Sequence, residues 1–128
     1  MSDVPRHLRR DELRDADPTP GMRREQAIVR DGLWSGLAHT DPGMVSGWHH
    51  HGDCETVIYV RSGAFRLECG PGGRTVIDAQ PGDFVHVPRR AVHREANPAD
   101  EVATLVLVRT GHGVPTVNVA GPEADVAP

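Results

Sequence analysis

Gly43-Met44-Val45-Ser46-Gly47-Trp48-His49-His50-His51-Gly52-Asp53-Cys54-Glu55 is the stretch on which the reading of this chain turns, and His93 answers it further along. Imidazole nitrogens and a carboxylate oxygen are donors that divalent first-row transition metals bind well. In a strand, side chains alternate between faces, so His49 and His51 point one way and His50 the other. Two histidines on one face, Glu55 a short turn later and His93 on a distant strand can converge on one ion. The expected ligands are therefore His49, His51, Glu55 and His93, holding one divalent transition metal ion per chain, with His50 outside the set. Donors that are all nitrogen and oxygen suit Fe, Mn, Co, Ni, Cu or Zn better than Ca or Mg.

Around this stretch the chain has the size of one compact domain, 128 residues with 38% apolar and 25% charged. The N-terminus carries no signal-like apolar stretch, and no run is long enough to span a bilayer, so a soluble, cytoplasmic protein is expected. A net charge of −4 argues against nucleic acid as a partner, because no basic excess is present to neutralise phosphates. Every basic side chain other than histidine is arginine. The absence of lysine excludes Schiff-base catalysis by a side-chain amine and the phosphate-binding lysine of a P-loop. Cys54 and Cys69 show no paired spacing and read as free thiols, Cys54 as a small strand-edge residue beside Glu55.

Short segments rich in β-branched and aromatic residues recur between turn signals. Candidate strands are Gln26–Arg30, Leu33–His39, Met44–His51, Glu55–Arg61, Ala64–Cys69, Thr75–Ala79, Asp83–Val87, Val92–Glu95 and Val102–Arg109. Asp31-Gly32, Asp41-Pro42-Gly43, Ser62-Gly63, Gly70-Pro71-Gly72-Gly73 and Pro81-Gly82-Asp83 punctuate them. Strands at this spacing indicate an all-β sandwich or barrel. Residues 6–16 predict one or two helical turns, broken by Asp17-Pro18-Thr19-Pro20-Gly21. The division expected is an arm over 1–22, a barrel over 23–120, to which Thr110–Val119 adds one more strand, and a flexible tail over 121–128.

The chain resembles the cupin superfamily. Gly43, His49, His51 and Glu55 fall on its first motif, G-x5-H-x-H-x3,4-E-x6-G, and Gly82, Pro88, His93 and Asn97 on its second, G-x5-P-x-G-x2-H-x3-N. Two positions depart from the pattern. Gly63 lies one residue late, which on a backward count puts Thr56 in the carboxylate position; a one-residue bulge near Glu55 that restores its aim is the favoured reading. Arg90 stands where the family has glycine, so a different local turn is expected there, with the guanidinium toward the rim of the site.

The resemblance implies an antiparallel double-stranded β-helix, a small jelly-roll barrel with its metal at the centre. Four protein ligands leave positions open on a six-coordinate ion, which separates a catalytic site from a structural one. The expected function is a metal-dependent enzyme on a small oxygenated metabolite, as a dioxygenase or else an isomerase, lyase or decarboxylase. The alternative is a binding or sensing module without turnover. His86 reads as packed or hydrogen-bonded, and His7, His39 and His112 as surface residues. Asn97 and Pro88 read as turn architecture, and Trp48, Tyr59, Phe65 and Phe84 mostly as core. Arg66 and Arg94 read as exposed, with carboxylate anchoring as the functional alternative. A homodimer is expected, because Leu8 and Leu13 of the arm would gain by packing on a partner barrel.

Overall fold

The computed structural model describes residues 4–113 and 116–124. Eleven strands follow in chain order: β1 (Arg14–Thr19), β2 (Met22–Arg30), β3 (Leu33–Thr40), β4 (His49–His50), β5 (Glu55–Ser62), β6 (Phe65–Cys69), β7 (Thr75–Ala79), β8 (Phe84–Val87), β9 (His93–Ala96), β10 (Ala103–Thr110) and β11 (Val117–Asn118). They form two antiparallel sheets, one in the order β1-β2-β3-β10-β5-β8 and the other β11-β4-β9-β6-β7. This is the all-β architecture that strand spacing and turn residues indicate, in the jelly-roll form that the resemblance implies. No helix among the described residues is long and apolar enough to cross a membrane.

Alternation decides which residues meet between the sheets. Along β5, Thr56, Ile58 and Val60 are buried while Val57 is exposed; along β10, Ala103, Leu105 and Leu107 are buried. Phe65 and Leu67 of β6 face them from the opposite sheet, with Val85 and Val87 of β8 beside them. Complete burial of side chains such as Phe65 and Leu105 contributes roughly 1.5–3 kcal/mol each.

The bulge implied by the late Gly63 exists, but at the far end of β5. Leu105 pairs with Val60 and Thr104 with Ser62, so Arg61 is the extra residue. Gly63 then closes the turn to β6 at φ +81°, where an added Cβ would come within 2.6 Å of the Ala103 Cα. Because Arg61 absorbs the insertion, the residues before it keep their alternation. Thr56 faces inward and Glu55 outward.

Several expectations need correction. Tyr59 and Phe84 are not core: their rings meet at a tilt, 4.9 Å between centroids, on the outer face of the six-stranded sheet, with Phe84 72% exposed. Met44–His51 is not one strand, since only His49–His50 pairs regularly, after a single bridge from Val45 to Ala96. The turn containing Arg90 is not rebuilt to avoid a left-handed residue. Arg90 itself adopts φ +59°, held by a bond from its amide to the Gly52 carbonyl at 3.0 Å and by an ion pair with Asp53. That conformation costs about 1–2 kcal/mol in a residue with a Cβ.

The N-terminal segment also differs from a detached arm. Only Arg10–Glu12 makes a helical turn, a single 3-10 one, and β1 then pairs with β2 as the edge of the sheet. Arg10 binds Glu25 at 3.2 and 3.3 Å, Glu25 accepts from or pairs with His39 Nε2 at 2.7 Å, and His39 Nδ1 meets Thr104 Oγ1 at 3.1 Å. Leu8 and Leu13 line a shallow pocket with Leu37 and Val106 on the outer face of their own barrel. At the other terminus, Glu123 bridges Pro71 and its carbonyl accepts the Gly72 amide at 2.8 Å, so residues 121–124 lie against the β6–β7 turn. Residues 125–128 of the expected tail lie outside the described residues.

Candidate metal centre

The site begins with a cross-strand pair. β4 and β9 meet at a single register position, His49 opposite His93, and their rings lie 4.3 Å apart. His51 follows two residues after His49 and turns its ring to within 5.0 Å of His93 and 5.2 Å of His49. All three are buried, His93 completely. Glu95, two residues beyond His93 on β9, shares its face. One donor atom from each of His49, His51, His93 and Glu95 lies within 4.8 Å of the others.

Hydrogen bonds fix which nitrogens face the centre. His49 Nδ1 donates to the Gly47 carbonyl at 2.9 Å and His93 Nδ1 to the Ala91 carbonyl at 2.8 Å. A carbonyl only accepts, so Nδ1 carries a proton in both rings, and a neutral ring would present a lone pair on Nε2. Outer contacts of this kind orient metal-binding histidines. His93 Nε2 is buried without a hydrogen-bond partner among the described residues, although Glu95 Oε1 lies 3.4 Å away. An orphaned buried polar atom costs about 1–3 kcal/mol. A cation shared with its neighbours would satisfy it.

The charges fit the same reading. Burial lowers the pKa of His49, favouring the neutral form that ligates, while Glu95 opposes the shift. Burial pushes the Glu95 carboxyl up, but protonated His93, with His49 and His51, outweighs it and holds the pKa down to about 2, and a cation among the same donors would act in place of those protons. The carboxylate is thus ionised, and three imidazoles with one carboxylate make a donor set for a transition metal.

Of the residues expected from the sequence, the structure brings together His49, His51 and His93. Glu55 is not with them: it lies on the outer face of β5, where its Oε2 meets His86 Nε2 at 3.0 Å. The reason is the bulge at Arg61, which leaves Glu55 facing out and Thr56 facing in. Glu95 takes the acid's place. His-x-Glu at His93–Glu95 on a strand is the signal that points to it, since period two puts both side chains on one face. His50 stays out of the cluster, accepting the Gly52 amide on Nδ1 at 3.0 Å. Arg66 pairs with Asp78, and Arg94 pairs with Glu68 while stacking 4.6 Å over Trp48. Asn97 is a turn residue, fully buried, donating to the carbonyls of Thr40 and Glu101.

The centre opens on a cavity of 1090 Å³ whose wall includes Trp34, Cys54, Thr56 and two arginines, Arg24 and Arg109. By sequence Arg24 reads, in the doublet Arg23-Arg24, as solvated surface, and Arg109 carries no signal. Each stands in a strand at an inward position, and nothing but that parity distinguishes it from the chain's many exposed arginines.

A profile of the cupin domain matches residues 36–109. Comparison with curated proteins finds no match. Among solved structures, KdgF from Halomonas sp. superposes with a TM-score of 0.70 at 22% identity, covering 85% of this chain and 96% of that one. The polyketide cyclase RemF from Streptomyces resistomycificus gives 0.76 at 19% identity, covering 94% and 89%. The cupin domain of Cnp3 from Schizosaccharomyces pombe gives 0.65 at 10% identity, covering 76% and 69%. At these identities the likeness is one of fold.

Proposed function

The chain belongs to the cupin family, and on that premise we propose that it is a metal-dependent enzyme acting on a small oxygenated metabolite, as a dioxygenase or as an isomerase, lyase or decarboxylase. The observation that carries this reading is the set His49, His51, His93 and Glu95, of which His49, His51 and Glu95 line a 1090 Å³ cavity. A divalent transition metal held there would supply Lewis acidity toward an oxygen donor or, if redox-active, reactivity with dioxygen. The protein's own part is to present Nε2 of His49 and His93 as lone pairs, to keep Glu95 ionised, and to exclude water with the walls of the barrel. Free Cys54 and Cys69 support a reducing, cytoplasmic setting.

Purified protein is to be assayed for bound metal, then for oxygen uptake or product formation with diketone, catechol and thiol substrates. Stoichiometric metal with turnover supports the proposal; protein that never loads metal ends it. A second reading, a binding or sensing module, is favoured by one observation. Beyond the donors, the polar groups lining the cavity include Arg24, Arg109 and Thr56, which hold ligands more readily than they shuttle protons. Recovery of a tightly bound ligand unchanged would select it. Pairing of two copies draws support from the exposed Phe84 and Val57 beside Tyr59 on the outer face, and light scattering at micromolar concentration tests it.

A further inference from the structure

Two guanidinium groups stand in the wall of the same cavity as the histidines. Arg24 comes from β2 and Arg109 from β10, with β3 between them. Between the two, β3 presents Ala38, paired with both Arg24 and Leu105, then Gly36, over which the Trp34 indole lies so that a Cβ would come within 2.7 Å of the ring, and Trp34 itself, paired with Arg109. The arginines therefore flank a floor made of Ala38 and the Trp34 indole. Arg109 Nε donates to Thr56 Oγ1 at 3.2 Å, which fixes the plane of the guanidinium. Its two terminal nitrogens have no hydrogen-bond partner among the described residues. Arg24 Nη1 donates to the Asp17 carbonyl at 3.3 Å and to Thr19 Oγ1 at 3.1 Å, both neutral acceptors.

Neither arginine has a carboxylate within salt-bridge distance among the described residues. Burial lowers the pKa of both against the opposing charge of Glu95, and for Arg109 Arg24 lowers it further while Cys54 opposes the shift. Glu95 is already committed to three imidazoles. Asp15 and Asp17 lie at the cavity mouth but are exposed to water. With a divalent ion on the donor set, the cavity would hold two guanidiniums and a dication against one carboxylate shielded from water, Glu95. Cations removed from water without counter-charge are strongly unfavourable. An anion that enters and meets both arginines relieves this, and the planar fork of arginine matches a carboxylate bidentately.

We propose that Arg24 and Arg109 form a clamp for the carboxylate of the ligand, which makes the ligand class small organic acids bearing a further oxygen donor, such as hydroxy or oxo acids. The clamp rests on the metal-site reading only for the second oxygen's partner; its grip on the carboxylate is independent of it. Malate serves as the probe, with its dimethyl ester as the uncharged match and inorganic phosphate as the competing anion. Binding is measured by calorimetry and by fluorescence of Trp34, which lines the cavity, on metal-loaded and chelator-stripped full-length protein.

Malate should bind, the ester at least about tenfold more weakly, and phosphate more weakly than malate. Arg24→Gln and Arg109→Gln should each weaken malate about tenfold or more, with metal content per chain unchanged. Arg24→Lys and Arg109→Lys keep the charge without the fork, and should fall between wild type and the glutamine variants. Malate affinity indifferent to esterification, or unchanged in the double glutamine variant, overturns the clamp. So does phosphate binding as tightly as malate. If the protein loads no metal but stripped protein still binds malate through both arginines, the metal reading fails and the clamp stands.

Discussion

Val60 faces Leu105 across β5 and β10 at one end of the barrel interior, Ile58 faces Leu107 in the middle, and Thr56 faces Arg109 at the other end. The same two strands therefore run from an apolar interior into a polar one within three rungs. At the Val60 end the inward side chains are fully buried and pack with Phe65 and Ala79. At the Thr56 end they meet a cavity, three histidines and an acid. The contrast teaches a division of labour: one end supplies the free energy that the other consumes in burying charge and leaving space unfilled.

The comparison breaks first if the two ends cannot be separated by mutation. His93→Ala should reduce bound metal from about one ion per chain to background by elemental analysis, because it removes a ligand from a four-donor set. Phe65→Ala should cost about 3–5 kcal/mol in chemical denaturation and leave the metal content of the folded protein intact. If His93→Ala unfolds the chain as Phe65→Ala does, the polar end is structural. If Phe65→Ala empties the metal site of protein that is still folded, the apolar end sets the ligand geometry as well.

A sharper contrast sets the two candidate acids against each other. Glu95→Gln should weaken metal binding by at least the roughly 10- to 100-fold that loss of an outer partner already costs. Glu55→Gln removes a partly exposed pair with His86 and should change stability by about 0–1 kcal/mol, with metal affinity unaltered. Competition titration against a chelating dye reads both. The reverse result would mean that the bulge sits before Glu55 and not at Arg61.

The smallest effect lies outside both ends, where Glu25 anchors the N-terminal segment. The His39 hydrogen bond, against burial and aided by Arg10, holds its carboxyl below the ordinary value of 4.5. A folded-state pKa lowered in this way contributes stability that is fully present above the unfolded-state value and is lost as pH falls through the folded one. Glu25→Gln should therefore cost about 1–2 kcal/mol at neutral pH and progressively less under acid. Denaturation curves across pH check it. A constant difference at all pH values would show that Glu25 acts through packing alone.

The fold was legible because its signals are local. Thr56-Val57-Ile58-Tyr59-Val60 is a run of β-branched and aromatic residues, Gly63 and Gly82 mark turns, and the spacing of such runs indicates an all-β sandwich or barrel. The histidines were legible for the same reason, as period two separates His49 and His51 from His50. The acid was not, because its identity depends on where β5 absorbs one extra residue, and the ladder to β10 settles that, not the local sequence. Strand β1 was hidden for another reason. At a sheet edge Arg14-Asp15-Ala16-Asp17-Pro18-Thr19 is exposed on nearly every side chain, so no alternation is written into it. Tyr59 and Phe84 were read as core from residue type, whereas parity along β5 and β8 sends them outward.

The extra residue at Arg61 has a consequence for how such chains are compared. A strand counts in twos, so an insertion changes the address of every side chain on one side of it and of none on the other. Column-by-column alignment of this sequence to its motif scores a matched glutamate at Glu55, in a place where space holds none. It scores nothing at Glu95, where space holds one. The match in text and the match in space disagree at the one acidic position, and a search for related sites is better posed as a search for the ladder than for the letters.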